Sequence, residues 1–279
     1  MTVLDVLQST TAYFKKREIE SPRLNAEHLL AHTLQCKRIE LYLEFSRPLV
    51  ETELAPLREL VRRRGQGEPL QHLLGTVEFA GRVFLCDKRA LIPRPETEEL
   101  VEKVVEVLAD RSPSTILDVG TGSGVIALSL AAKFPEAEVH AIDVSDDALA
   151  LARENAARHE LLGRISFSKG HLLSSVQGRF DLIVANLPYV SNGDRGSLSA
   201  EVLRDPAAAV FGGPRGDELV RELIEAAPNY LAPGGMLALE VGIDQAEGLV
   251  LFLNEKNYHD IQAIKDYSGV MRFLFGRYG

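Results

Sequence analysis

Asn186, Leu187, Pro188 and Tyr189 are the residues whose types and spacing bear most directly on chemistry. They follow an apolar run, Phe180 to Ala185, that reads as a buried strand. Pro188 ends that strand, because proline has no N–H for a ladder and a fixed φ. An amide side chain, the Leu187 carbonyl and an aromatic ring then meet at a strand's carboxyl end, where open α/β sheets bind ligands. Such a set suits a planar NH2 group. Two acceptors hold its hydrogens in plane while the Tyr189 ring packs on its face. The same four residues also fit a strand followed by a plain tight turn.

A second motif lies upstream. Thr115 to Val119 reads as a short buried strand, Gly120-Thr121-Gly122-Ser123-Gly124 as a turn, and Val125 to Phe134 as a helix by its apolar spacing. Glycines there permit positive φ and let main chain approach a ligand. A dinucleotide site uses G-x-G-x-x-G to seat a pyrophosphate on the helix start; here the spacing is G-x-G-x-G. Asp118 also precedes the first glycine, where a carboxylate repels phosphate and accepts from an ammonium group. S-adenosylmethionine carries an ammonium and no phosphate, so it fits better than NAD. Glu138 to Ile142 reads as the next strand. Asp143 ends it about 20 residues past the loop, where a carboxylate takes ribose hydroxyls.

Together the two motifs resemble class I S-adenosylmethionine-dependent methyltransferases of the Asn-Pro-Pro-Tyr group, which methylate planar amide or exocyclic amino nitrogens. Further segments are similar to the release-factor glutamine methyltransferases: Pro69-Leu70-Gln71-His72-Leu73-Leu74-Gly75, Phe79-Ala80-Gly81, Leu91-Ile92-Pro93-Arg94-Pro95-Glu96-Thr97-Glu98, and Asp205-Pro206-Ala207-Ala208-Ala209 with Gly212, Gly213 and Gly216. The resemblance covers nearly the whole chain, and the Ile-Pro-Arg-Pro-Glu-Thr-Glu run is more specific than the glycine loop. It implies methyl transfer from S-adenosylmethionine to the glutamine N5 of the Gly-Gly-Gln motif of peptide chain release factors. Catalysis and substrate binding fall to Asn186, Leu187, Pro188 and Tyr189. Cofactor binding falls to Asp118, Gly120, Thr121, Gly122, Ser123, Gly124, Asp143, His171 and Asn186. No metal is implied.

Two positions depart from that family. Leu187 stands where it has proline; a leucine carbonyl accepts equally well, but the rigid φ is lost. His171 replaces an acidic residue near the adenine amino group. A neutral ring nitrogen still accepts there, and a solvated loop histidine is the alternative. Asn-Leu-Pro-Tyr is also similar to the motif of ribosomal RNA adenine dimethyltransferases. An adenine N6-methyltransferase on RNA or DNA, and a catalytically silent S-adenosylmethionine-binding protein, therefore stay open as alternatives.

The elements that must position these residues form an α/β, Rossmann-like methyltransferase domain with a mostly parallel seven-stranded sheet, preceded by a small helical bundle. The expected division is residues 1–72 as a helical substrate-recognition domain, 73–93 as a β-hairpin linker turning at Ala80-Gly81, and 94–279 as the methyltransferase domain. Ser21-Pro22 reads as a helix cap and first turn, Glu51 to Arg64 as a further helix, and Glu98 to Leu108 as the helix that covers the sheet. Pro233-Gly234-Gly235 reads as a turn before a strand from Met236 to Val241. The basic end Arg62-Arg63-Arg64 suits a helix C-terminus; a patch for substrate protein or ribosomal RNA is its alternative.

The 279 residues suffice for a large core. Residues 1–75 hold 11 Lys+Arg against 10 Asp+Glu, a net of +1, and the remainder 20 against 30, a net of −10. That acidic balance argues against a phosphate backbone as the direct partner. Cys36 and Cys86 form neither a disulfide framework nor a metal knot. With no apolar run of membrane-spanning length and no signal-peptide core, a soluble cytoplasmic protein is expected; a monomer is a separate expectation that these absences do not carry.

Overall fold

The computed structural model describes the whole chain, residues 1–279, which divides into two compact units, Met1–Thr76 and Val77–Gly279. The first is helical: α1 (Val3–Lys15), α2 (Pro22–Leu34), α3 (Arg38–Leu41), α4 (Glu51–Arg64) and α5 (Leu70–Leu74). Apolar residues three and four apart, such as Val3, Val6 and Leu7 on α1 and Ala26, Leu29 and Leu30 on α2, close a core with Leu54 and Leu57 of α4. Thr2 and Asp5 form a capping box that starts α1.

Ser21 does not cap α2: it sits at φ 46° with no side-chain bond to the helix. Asn25 ties that turn instead, donating to the Glu20 and Ser21 carbonyls. The arginine run splits three ways. Arg62 pairs with Glu59, Arg63 with Glu68, and Arg64 is buried with its Nε 2.7 Å from Asn25 Oδ1. Arg64 is thus a strut between α4 and α2. Reversing all three charges would break this unit rather than probe a surface.

The hairpin strands β1 (Thr76–Phe79) and β2 (Arg82–Leu85) come next, all but Thr76 within the second unit. Ala80 and Gly81 join them at φ +49° and +70°, two positive values that match a type I′ hairpin turn. Phe79 and Phe84 meet edge to face and are fully buried in the core of this unit, so the hairpin belongs to it rather than forming a separate connection. There follow α6 (Pro95–Val107), β3 (Thr115–Val119), α7 (Val125–Lys133), β4 (Glu138–Asp143), α8 (Asp146–Arg158), β5 (Ile165–Lys169), β6 (Phe180–Asn186), β7 (Val190–Ser191), α9 (Ala207–Val210), β8 (Phe211–Gly213), α10 (Glu218–Ala226), β9 (Leu231–Glu240), α11 (Ala246–Glu255), β10 (His259–Lys265) and β11 (Met271–Tyr278).

Seven strands form one sheet in the order β10-β11-β9-β6-β3-β4-β5, with β11 antiparallel to both its neighbours. Helices α6, α7 and α8 contribute to the core on one face, α10 and α11 to that on the other. The chain builds outward from β3 through β4 to β5, then returns to β3's other side with β6. That reversal is a topological switch point, and it opens a crevice at the strands' carboxyl ends.

Two boundaries differ from expectation. Helix α6 begins at Pro95, not Glu98, because proline suits the first helical position, and Thr97 therefore falls in the first turn. Strand β9 runs through Pro233-Gly234-Gly235. Its pairing with β6 jumps from Phe180↔Leu231 to Leu182↔Met236, and Gly234 absorbs the bulge at φ +71°. No helix is long and apolar enough to cross a membrane. Both cysteines are free thiols, and burial pushes that of Cys86 up to about 12.

Candidate active site

The crevice is lined from one side by the glycine loop. Gly120 and Thr121 both donate their N–H groups to the Ile142 carbonyl, at 2.9 and 3.0 Å, which stitches the loop to the end of β4. Asp143 continues the stitching: Oδ2 accepts from Gly122 N–H at 2.8 Å and Oδ1 from Ser145 N–H at 2.9 Å. At Gly124 a Cβ would stand 3.1 Å from the Cβ of Ala152, so only glycine lets α7 start against α8. At Gly122 nothing lies within 3.9 Å of that position; it faces the open cleft, whose walls here are Gly120 to Ser123, Asp143 to Ser145 and Gly170 to Leu172.

Asp118, expected at a ligand ammonium, does not line the cleft. It is wholly buried, with Oδ2 accepting from Thr121 Oγ1 at 2.6 Å and from Ala127 N–H at 3.1 Å, and with Oδ1 lacking any partner. Burial pushes its carboxyl up to about 7. Asp118 is therefore a brace between loop and helix. Gly124 also lies behind the wall. His171 is at the rim, with its ring half exposed and Nδ1 3.5 Å from Glu222 Oε1.

The opposite side is built by Asn186, Leu187 and Pro188. Parallel pairing of β6 with β9 puts Asn186 directly beside Glu240. Asn186 Nδ2 donates to Thr97 Oγ1 at 2.8 Å, and Thr97 Oγ1 donates to Glu240 Oε2 at 2.8 Å. Burial pushes the Glu240 carboxyl up to about 7, against the pull of Thr97 and Arg272. Leu187 turns its side chain toward the loop: a Cβ on Gly120 would stand 3.0 Å from Leu187 Cδ2.

Tyr189, expected to pack on a planar ligand, is set back from the cleft lining. Its hydroxyl lies 3.5 Å from Glu240 Oε1, its carbonyl accepts from Gln245 Nε2, and burial raises its phenol to about 12. The main chain around it is clasped by the late glycines. A Cβ on Gly212 would come within 2.2 Å of the Pro188 carbonyl, so the β7–β8 pairing requires glycine there.

A third wall comes from Arg89 to Arg94 and from Pro206 to Ala209. Asp205 joins them, accepting from Arg94 Nη2 at 2.6 Å and Ile92 N–H at 3.3 Å. Arg89 is paired with Asp87 and Glu154. Both arginines lining the cleft are thus neutralised by carboxylates, which leaves neither for a pyrophosphate. The open face at Gly122, the carboxylate of Asp143 and this absence of an available arginine fit S-adenosylmethionine better than a dinucleotide.

Two family models match the chain: the PrmC N-terminal domain over residues 5–75 and the methyltransferase small domain over residues 99–213. The release factor glutamine methyltransferase of Chlorobaculum tepidum is 42% identical over 284 residues, covering 98% of this chain and 96% of that protein. The protein of that name from Geobacter sulfurreducens is 40% identical over 282 residues, covering 100% and 97%. The chain belongs to the release factor glutamine methyltransferase family. A methyltransferase structure from Pyrococcus furiosus, 24% identical, covers 70% of this chain and 88% of its own at a TM-score of 0.52, which shows the shared fold.

Thr97, which bonds both Asn186 and Glu240, carries no signal of its own in the sequence. It lay inside the quoted linker run, but a helix start placed at Glu98 left it outside any element. The proline at 95 was the signal that would have moved the start back one turn. Glu240 ends β9, and its partners Thr97 and Tyr189 come from other elements and carry no local signature.

Proposed function

We propose that this protein transfers a methyl group from S-adenosylmethionine to the side-chain N5 of the glutamine in the Gly-Gly-Gln motif of peptide chain release factors. The observation that carries this reading is the Asn186 amide. Its NH2 is taken by Thr97, so its carbonyl oxygen is free to accept from a planar NH2 in the cleft. Identity of about 40% to proteins named for release factor glutamine methylation, over the whole chain, supports the protein substrate.

Bound in the cleft, S-adenosylmethionine supplies an electrophilic sulfonium methyl. Gly120 to Ser123 and Asp143 would hold it, with His171 at the rim. A carboxamide nitrogen is a poor nucleophile because its lone pair is delocalised. Asn186 Oδ1 and the Leu187 carbonyl accept its two hydrogens and fix its plane, which removes much of the orientational cost. Both contacts strengthen as the nitrogen gains positive charge, so they favour the transition state over the ground state. Asp143, the carboxylate that lines the cleft, is engaged by Gly122 and Ser145. We place proton loss after transfer. The substrate is a cytoplasmic protein, and the enzyme would meet it there as a monomer.

The test incubates purified protein and labelled S-adenosylmethionine with intact release factor, with RNA, or alone, and locates the label by mass spectrometry. Label on the Gly-Gly-Gln glutamine N5 is expected. Label on RNA adenine would replace this reading with a nucleic-acid one, and binding without any transfer would leave a silent cofactor-binding protein.

A further inference from the structure

Asn186 has two chemically opposite ends, and only one serves a substrate NH2. Oxygen and nitrogen of an amide are nearly isosteric, so shape alone does not choose between them. The choice must come from what the buried end touches. Here that end touches Thr97, whose single hydroxyl proton goes either to Glu240 or to Asn186. Glu240 is 1% exposed, and its Oε2 lies 2.8 Å from Thr97 Oγ1. An ionised carboxylate only accepts. Thr97 must then donate to it, which leaves Thr97 a lone pair for Asn186. Asn186 must offer its NH2 to that lone pair and turn its oxygen to the cleft.

We propose that Glu240 and Thr97 are positioning residues for methyl transfer: a directed chain of hydrogen bonds, Asn186 to Thr97 to Glu240, sets which end of the Asn186 amide faces the substrate. This rests on the proposed role of Asn186 as an NH2 acceptor. If Glu240 takes up a proton, it becomes a donor. Thr97 is then free to donate to Asn186 Oδ1, and the amide can present NH2 to the cleft, where it meets the substrate's NH2 as donor against donor. The chain joins three separate elements, the first turn of α6 and the ends of β6 and β9. It also explains why an acid is tolerated in such a buried place.

The charges facing Glu240 come from every side. Arg272 on β11 favours the ionised form, Glu96 on α6 opposes it, and the Tyr189 hydroxyl stands at 3.5 Å. Arg272 is itself held by Asp266 and the Val241 carbonyl. With the Glu240 carboxyl pushed up to about 7, turnover at saturating cofactor should fall as pH drops through neutrality. Asp118 is raised similarly, but it braces the cofactor loop. Its protonation would show in cofactor affinity rather than in kcat.

The experiment compares Glu240→Gln, Thr97→Val, Thr97→Ser and Asn186→Ala with the parent enzyme on intact release factor. It measures S-adenosylmethionine affinity by titration calorimetry and kcat against pH. Thr97→Val should lower kcat about 10²-fold, as for a misplaced reacting group, and Glu240→Gln, whose amide can accept from Thr97 or donate to it, should lower kcat by less, both with cofactor affinity kept. Thr97→Ser keeps the hydroxyl and should restore most of what Thr97→Val loses. In Glu240→Gln the fall in kcat near neutral pH should vanish. If Asn186→Ala is inactive while Glu240→Gln and Thr97→Val keep parental kcat, the hydrogen-bond chain is refuted and the acceptor role of Asn186 stands. If Asn186→Ala keeps its turnover, the acceptor role itself fails. Equal loss in Thr97→Ser and Thr97→Val, or a persisting pH limb in Glu240→Gln, also overturns the proposal.

Discussion

Two of the cleft's three walls, the glycine loop and the Asn186 side, are held by different kinds of contact. On the glycine-loop side the bonds are short in sequence: Thr121 to Asp118 spans 3 residues, Ala127 to Asp118 spans 9, and Gly122 to Asp143 spans 21. On the transfer side they are long: Tyr189 to Glu240 spans 51 residues, Asn186 to Thr97 spans 89, and Thr97 to Glu240 spans 143. A single strand-loop-helix-strand unit makes the first wall, mostly from main chain. The second needs the sheet closed and α6 docked before any polar partner arrives. On the proposed function, the first is a generic seat for the cofactor and the second selects the nitrogen.

The comparison breaks most visibly at Asn186. Asn186→Ala should reduce turnover on the order of 10²-fold or more, as for loss of a contact that stabilises developing charge, with S-adenosylmethionine affinity unchanged. A methyl-transfer assay beside calorimetry checks this. Equal loss of cofactor binding would mean the two walls are not separable.

Asp143→Ala probes the other wall. Losing its bonds to Gly122 and Ser145 should loosen the loop and weaken cofactor affinity roughly 10-fold, consistent with about 1–2 kcal/mol for charge-assisted bonds. At saturating cofactor kcat should stay near the parental value. Unchanged affinity would contradict the assignment of Asp143 to the cofactor.

The same contrast explains what was legible in the sequence. The loop wall is written in consecutive residues, so Gly120 to Gly124 and Asp143 could be placed by spacing alone. The parallel sheet followed from alternating strands and helices. Spacing shows that an acid precedes the loop, not that the Asp118 side chain turns inward to Thr121 and Ala127. Tyr189 was given to the ligand for a similar reason; its hydroxyl turns toward Glu240. Thr97 and the partners of Glu240 were invisible because strand register and helix docking, not local pattern, bring them together. The hairpin's burial was missed likewise: Phe79 and Phe84 look like ordinary strand residues until the core around them exists.

The buried brace gives a stability signature for the loop wall. Burial pushes the folded-state Asp118 carboxyl up to about 7, well above the ordinary carboxylate range of about 4. The folded state therefore holds that proton longer than the unfolded chain. The contribution to stability is complete below about 4 and is lost as pH rises through about 7. Asp118→Asn keeps an acceptor for Thr121 and Ala127 but cannot ionise. Urea denaturation at pH 4 and pH 7.5 should show the parent losing on the order of 1–3 kcal/mol more than the variant across that range. Parallel pH curves would mean that Asp118 does not titrate there.

The smallest effect is expected at the tyrosine of the transfer wall. Its hydroxyl meets Glu240 only at 3.5 Å, the edge of useful hydrogen-bond geometry, and its ring is set back from the cleft lining. Its main-chain carbonyl is held by Gln245, a contact that any side chain at 189 preserves. Tyr189→Phe should therefore lower kcat by about 2–5-fold, the value of one weak bond. A loss near that of Asn186→Ala would move the hydroxyl into the directed chain and make Glu240 the centre of a branched network. Kinetics of Tyr189→Phe at saturating cofactor separate the two arrangements.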